Sequence, residues 1–246
     1  MNRGIVIGSV LAVAAVAATF SIRACAAAPE RPADGSVRQV AAPAAATPAS
    51  PSSMSQWQAG VNYTVLGYPL APSLPKGKVE VNEVFWYGCS HCYHLDPYLE
   101  NWKKTKPAYV EFVRIPVMWG PSHRQHARVF YTMQKLGRGD LHTKVFDAIQ
   151  KEGKLMMAPT DDAARAMHWA FFKENGITEQ QFNEAYDSEE VAKNVEMANR
   201  LTTRFEVGSV PTIIVQGAYS TSVSQAGGEQ QLLSLINDLA AREQRR

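Results

Sequence analysis

The feature that most constrains this chain is Cys89-Ser90-His91-Cys92, two thiols placed where the hydrophobic period changes. An apolar run from Val79 to Tyr87 breaks at Gly88 and leads straight into the pair. Leu95, Tyr98, Leu99 and Trp102 follow at the i, i+3, i+4, i+7 spacing of one helical face. A buried strand therefore turns into a helix at the dithiol. In that setting Cys-x-x-Cys reads as a redox motif rather than as two unrelated cysteines.

The chemistry follows from the helix end. The first amides of a helix lack intrahelical acceptors, and the dipole concentrates partial positive charge there. A thiolate in the first turn is stabilised by both, so its pKa falls below that of a free cysteine. Cys89 lies at the tip, outside the apolar stripe. Cys92 lies three residues before Leu95 and belongs to the inward face. Cys89 is thus expected to be the exposed thiol that exchanges, and Cys92 the sheltered partner. His91 between them favours the thiolate further, as a cation or as a donor.

Composition narrows the options. The 246 residues suffice for one sizeable domain with an insertion. With 25 basic and 23 acidic side chains there is no general pull toward nucleic acid. Only three cysteines are present, and Cys25 falls in the leader, so a disulfide-stapled scaffold is excluded. Zinc or copper held by Cys89, His91, Cys92 and His94 is disfavoured, because one close cysteine pair is half of a closed zinc site. Tyr93 after Cys92 argues against covalent haem. No metal and no cofactor beyond the Cys89–Cys92 couple is expected. His94 reads as a surface residue. His123, His126, His142 and His168 read as helix residues without a common focus, and Met118, Met156 and Met157 as packing.

Residues 1–28 hold an uncharged apolar run, Gly4 to Ile22, between Arg3 and Arg23. Three readings stay open: a cleaved export signal, a single membrane anchor, or a lipid anchor at Cys25. Each places the rest outside the cytoplasm, where a catalytic dithiol can be kept oxidised. Residues 29–60, rich in Ala, Pro and Ser, read as a flexible linker of roughly 30 Å. Such a segment is no dimerisation domain, so a monomer is expected.

Tyr63 to Leu66 reads as a short edge strand, Val79 to Tyr87 and Tyr109 to Val117 as core strands. Glu83 shares a face with Val81 and Phe85 by the two-residue period. The pattern alone leaves it either buried, with a raised pKa and a proton to exchange, or exposed. Pro97 interrupts the helix after the dithiol and is expected to kink it. From residue 120 to 207 the pattern is helical throughout. Gly137 closes one helix, Asp140 opens the next, Thr160 begins a third, and Thr178 with Gln181 fits a capping box. Thr212 to Val215 and a strand near Tyr219 then precede a last helix, Glu229 to Ala241. Pro211, on the sequence alone, reads as an ordinary strand-start residue.

Two stretches carry a resemblance. Phe85-Trp86-Tyr87-Gly88-Cys89-Ser90-His91-Cys92-Tyr93 resembles the active-site run of the DsbA thiol:disulfide oxidoreductases of the bacterial periplasm. Gly208-Ser209-Val210-Pro211-Thr212 and the residues to Tyr219 are similar to that family's cis-proline loop and hairpin. The resemblance spans roughly residues 60 to 243. It implies an α/β, thioredoxin-like fold made of residues 61–119 and 208–246, with 120–207 as an inserted helical domain. It implies a buried acid at Glu83 and a cis bond before Pro211, with Val210 offering its backbone to an extended substrate. Ser90 stands where the best-known members carry proline, a position that bears on the redox potential.

The activity implied is donation of disulfides to reduced, newly exported proteins, with reoxidation by a membrane quinone reductase of the DsbB kind. An envelope reductase or isomerase of the same fold is the neighbouring alternative. A thiolate metal-binding module is the alternative of a different class.

Overall fold

The computed structural model describes residues 56–67 and 74–246. The leader, Cys25 and the linker up to residue 55 lie outside the described residues, as does the stretch 68–73. Residues 56–60, read as the end of the linker, instead belong to the domain, with Trp57 packed on its core and donating Nε1 to Asp238 Oδ2 at 2.7 Å. Among the described residues, no helix is long and apolar enough to cross a membrane.

Five strands form one sheet: β1 (Thr64–Val65), β2 (Val79–Phe85), β3 (Val110–Pro116), β4 (Thr212–Val215) and β5 (Tyr219–Thr221), in the order β1-β5-β4-β2-β3. β2 runs parallel to β3 and antiparallel to β4. Helix α1 (Ser90–Thr105) makes the crossover from β2 to β3. A parallel pair needs such a connection, and the helix that makes it covers one sheet face. β2 is covered on both faces, so its pattern is nearly continuous burial instead of alternation.

The helices α2 (Pro121–Lys135), α3 (His142–Gln150), α4 (Asp161–Glu174), α5 (Glu179–Tyr186) and α6 (Glu189–Arg204) all lie between β3 and β4 in the chain. This is the thioredoxin-like arrangement with a helical insertion. A four-residue helix, α7 (Val223–Ala226), and the long α8 (Glu229–Gln244) follow the last strand.

Three apolar clusters hold these parts together. In the first, Leu95, Leu99 and Trp102 of α1 and Leu232, Leu235, Ile236 and Leu239 of α8 pack on Val79, Val81, Ile213 and Val215. In the second, Val84, Ile115 and Ile214 meet Ala198, Phe205 and Val207. The third belongs mainly to the insertion, with Val129, Phe130, Met133, Val145, Phe146, Phe172 and Phe182. It also takes in Phe85, Tyr87 and Cys92. The insertion therefore closes over one of the two thiols.

Local signals in the sequence account for most boundaries. Thr178 and Gln181 form the reciprocal capping box that opens α5. Thr160 caps α4 through the Ala163 N–H, and Gly137, at φ 68°, terminates α2 in the left-handed region that glycine tolerates. Among the helices two points differ from the sequence reading. Asp140 opens a 3₁₀ turn, Gly139–Leu141, with α3 beginning only at His142. α7 is too short to show a periodic stripe and was not expected. Pro97 sits inside α1 without ending it.

Candidate active site

The site begins at the end of β2. The chain turns over Trp86-Tyr87-Gly88-Cys89, closed by the Cys89 N–H donating to Trp86 O at 3.0 Å. Gly88 is required here by close approach: a Cβ on it would lie 2.4 Å from the Trp86 ring, which folds back over the turn. Cys89 is the N-cap of α1, with extended backbone (φ −91°, ψ 117°). Its position hands the sulfur to the unpaired amides of the first turn.

Both thiols are unbridged. Cys89 is half-buried, while Cys92 is fully buried. The Cys89 pKa is lowered to about 5. The largest cause is the Cys92 thiol donating to the Cys89 sulfur. Burial opposes it, and the Cys92 and His91 backbone N–H groups and the His91 charge add to it. One contact works the other way: protonated Cys89 Sγ donates to Val210 O at 3.4 Å, which only the neutral thiol can do. A single weak donor to a carbonyl is outweighed by donors that favour the anion. The Cys92 thiol is pushed well above the usual range, first by burial and then by its hydrogen bond to Cys89 and the Glu83 charge.

The sequence-derived site residues come together unevenly. Ser90 and His91 are exposed beside the dithiol. The Val210–Pro211 bond is cis, and the Cys89 contact sets Val210 against the half-buried sulfur. Glu83 is buried, 1% exposed, in the strand that leads to Cys89.

The reading of Glu83 as a lone buried acid is incomplete. Arg114, only 7% exposed, stands directly opposite it on β3. The guanidinium donates Nε to Glu83 Oε2 at 2.7 Å, Nη2 to Asp96 Oδ1 at 2.8 Å and Nη1 to Glu100 Oε1 at 2.7 Å. Asp96 Oδ2 accepts from Thr143 Oγ1 at 2.8 Å, and His142 Nε2 lies 3.4 Å from Oδ1, the oxygen that Arg114 also holds.

Three carboxylates share one guanidinium, and they share it unequally. Burial would raise Asp96, but its contacts with His142, Arg114 and Thr143 bring it below the ordinary carboxylate range. Among the described residues Arg114 is the one donor to Glu83, and Glu83 Oε1 is buried without a partner. Burial dominates there and raises its pKa despite the ion pair. Negative charge therefore concentrates on Asp96 and Glu100, and Glu83 is the member of the group that most readily takes a proton.

Arg114, Asp96 and His142 did not emerge from the motif. A signal was nevertheless present. Arg114 interrupts the apolar run of β3. Asp96 falls four residues after Cys92, within the stripe that Cys92, Leu95, Leu99 and Trp102 bury. Opposite charges at core positions of adjacent elements must pair. The histidines also prove less scattered than expected. His142 Nδ1 and Tyr87 Oη are hydrogen-bonded to each other at 2.8 Å. His123 and His126 both lie against the Trp86 ring. His94 is exposed. Among the described residues, no group of three or more His, Cys, Asp or Glu is arranged to hold a metal ion.

A dithiol whose outer sulfur is held as an anion and whose inner sulfur is kept protonated exchanges electrons with other thiols and disulfides. On this sheet and insertion, it defines a thioredoxin-like thiol:disulfide oxidoreductase. Comparison with known proteins narrows the class. The thiol:disulfide interchange protein DsbA of Pseudomonas aeruginosa is 36% identical over 188 residues, which is 76% of this chain and 86% of that protein. The DsbA of Azotobacter vinelandii is 34% identical over 173 residues, 70% of this chain and 78% of that one. The crystal structure of Pseudomonas aeruginosa DsbA matches with a TM-score of 0.70 at 34% identity, covering 78% of this chain and 96% of that one. The oxidoreductase DsbA of Xylella fastidiosa matches at 0.68 and 26% identity, over 77% and 98% of the two chains. No protein-family model matches the chain. The chain belongs to the DsbA family of thiol:disulfide interchange proteins.

Proposed function

We propose that Cys89 and Cys92 are the catalytic couple of a disulfide donor acting on exported proteins. In the oxidised protein a substrate thiolate attacks Cys89 Sγ. The Cys89–Cys92 bond breaks, and the Cys92 sulfur leaves with the bonding electron pair and takes a proton. A second substrate thiolate then attacks the substrate sulfur of the mixed disulfide and expels Cys89 as a thiolate. Two electrons pass from the substrate dithiol to the pair. Of the two protons released, one ends on Cys92 and one in solvent. Glu83, the readily protonated neighbour, supplies or accepts the Cys92 proton. His91 stabilises the Cys89 anion, Ser90 tunes the first turn, and Val210 beside Pro211 pairs with the extended substrate backbone.

The observation that carries this reading is the asymmetric pair: a stabilised, half-exposed Cys89 thiolate over a fully buried Cys92 thiol. Stabilising the reduced form makes a dithiol couple oxidising. No cofactor beyond the disulfide is invoked. The setting is the periplasm, the protein acts as a monomer, and a membrane quinone reductase of the DsbB kind restores the disulfide.

Equilibration with glutathione tests the proposal. The couple is expected well on the oxidising side of the glutathione pair, and oxidised protein is expected to convert a reduced dithiol peptide to its disulfide. Cys89→Ser should abolish that conversion. A couple more reducing than glutathione marks a reductase instead. Tight binding of a thiolate-liganded ion without peptide oxidation marks a metal module.

A further inference from the structure

Helix α3 belongs to the insertion, yet its polar side chains grip both chain segments that flank the dithiol. On the strand side, two residues before Cys89, Tyr87 is held twice. Its Oη is hydrogen-bonded to His142 Nδ1 at 2.8 Å, and its carbonyl accepts from Gln150 Nε2 at 2.7 Å. On the helix side, Tyr93 Oη donates to Asp147 Oδ1 at 2.8 Å. One turn further on, Asp96 accepts from Thr143 Oγ1 at 2.8 Å. His142, Thr143, Asp147 and Gln150 fall on one side of α3 at its 3.6-residue period. Four side chains of one helix thus bridge the strand end and the first turns of α1.

His142 fixes the sense of the bridge. Its Nε2 lies 3.4 Å from Asp96 Oδ1, a charge contact and not a formed hydrogen bond, and a proton on that nitrogen suits the carboxylate better than a lone pair does. Nδ1 is then the acceptor, and Tyr87 O–H donates to it. The ring is enclosed by Phe85, Phe130 and Phe146 at 5.1–5.9 Å between centroids, so it has little room to turn. Asp147 is steadied in the same way by Lys151 Nζ at 2.9 Å.

We propose that α3 is a positioning element for the redox couple, with His142, Asp147 and Gln150 as positioning residues acting through Tyr87 and Tyr93. The Cys89 sulfur is stabilised by N–H groups of the first turn of α1, and hydrogen bonds to an anion weaken steeply with distance and angle. Their alignment depends on where Tyr87 leaves the strand and where Tyr93 seats the helix. Both points are set from the insertion. The proposal rests on the exchange reading for its functional meaning, but its test is made on Cys89 directly.

The experiment titrates the Cys89 thiolate by its ultraviolet absorbance in the full reduced protein, beside the glutathione equilibrium constant and the melting temperature. Tyr93→Phe and Gln150→Leu each remove one grip, from opposite flanks. Each is expected to raise the Cys89 midpoint by about half a unit and make the couple about threefold less oxidising, as for one lost hydrogen bond, with about tenfold for the pair. Arg165→Ala, which breaks the Arg165–Asp187 ion pair elsewhere in the insertion, is expected to lower the melting temperature without moving the midpoint. The inference is overturned if Tyr93→Phe and Gln150→Leu cost stability yet leave titration and equilibrium where they were. Failure of the unaltered protein to oxidise a peptide strikes the exchange reading alone, because the titration needs no substrate.

Discussion

At position 89 the sulfur meets a thiol donor, two backbone amides and a nearby imidazole, and its protonated form has only a carbonyl to bond. The balance favours the anion, with a pKa of about 5. Thiolate, not thiol, is the nucleophile. Alkylation of reduced protein by iodoacetamide is therefore expected at Cys89 and not at Cys92. Its rate should be flat across neutral pH and should fall about tenfold per unit once the pH drops below about 5. A rate still climbing through pH 8 would contradict the donor set described. Three residues earlier, the Trp86 indole occupies the space that any side chain at position 88 would need. The turn carrying the thiol therefore tolerates glycine and nothing larger without moving that ring.

Among the elements, β2, β3 and α1 meet at a buried charge that no apolar pattern announces. Arg114 holds Glu83 and Asp96 together at their common boundary, and each of the two carboxylates is 1% exposed. Such a group is costly to bury and costlier to break. Arg114→Leu is expected to cost about 3–5 kcal/mol at neutral pH in denaturant unfolding, because it strands two carboxylates without a cation. The loss should shrink in mild acid, where Glu83 accepts a proton. An equal loss at both pH values would mean that the charge pairing contributes nothing. The exposed pairs, such as Lys193–Glu189 on α6, contribute little by comparison.

For the molecule as a whole, the redox state and the stability are linked through the two thiols. The folded pKa of Cys89, about 5, lies below the roughly 8.5 of an unfolded cysteine. The stability this confers on the reduced protein is complete above the unfolded value and is lost as pH falls through about 5. Cys92 has the opposite shift, raised by burial in the core of the insertion. Its contribution turns against the fold as pH rises past the unfolded value. The oxidised protein has neither thiol. The melting temperature of the reduced form, relative to the oxidised form, is thus expected to rise from about pH 5 to a maximum near about pH 8.5 and to decline above it. Calorimetry of the two forms across that range checks it, and a difference independent of pH would refute the linkage.

How much of this was legible in the chain differs by kind of interaction. The strand–glycine–dithiol–helix succession, the capping box at Thr178 and the stripe of α8 are written in neighbouring residues. Local propensity and period depend on nothing further away, and that placed Cys89 outside and Cys92 inside before any fold was known. The long-range pairings were decided only by the tertiary structure. Arg114 reaches Glu83 across 31 residues and His142 reaches Tyr87 across 55. Which buried charge finds which partner depends on strand register and on where an inserted helix docks. Neither is encoded in any window short enough to read.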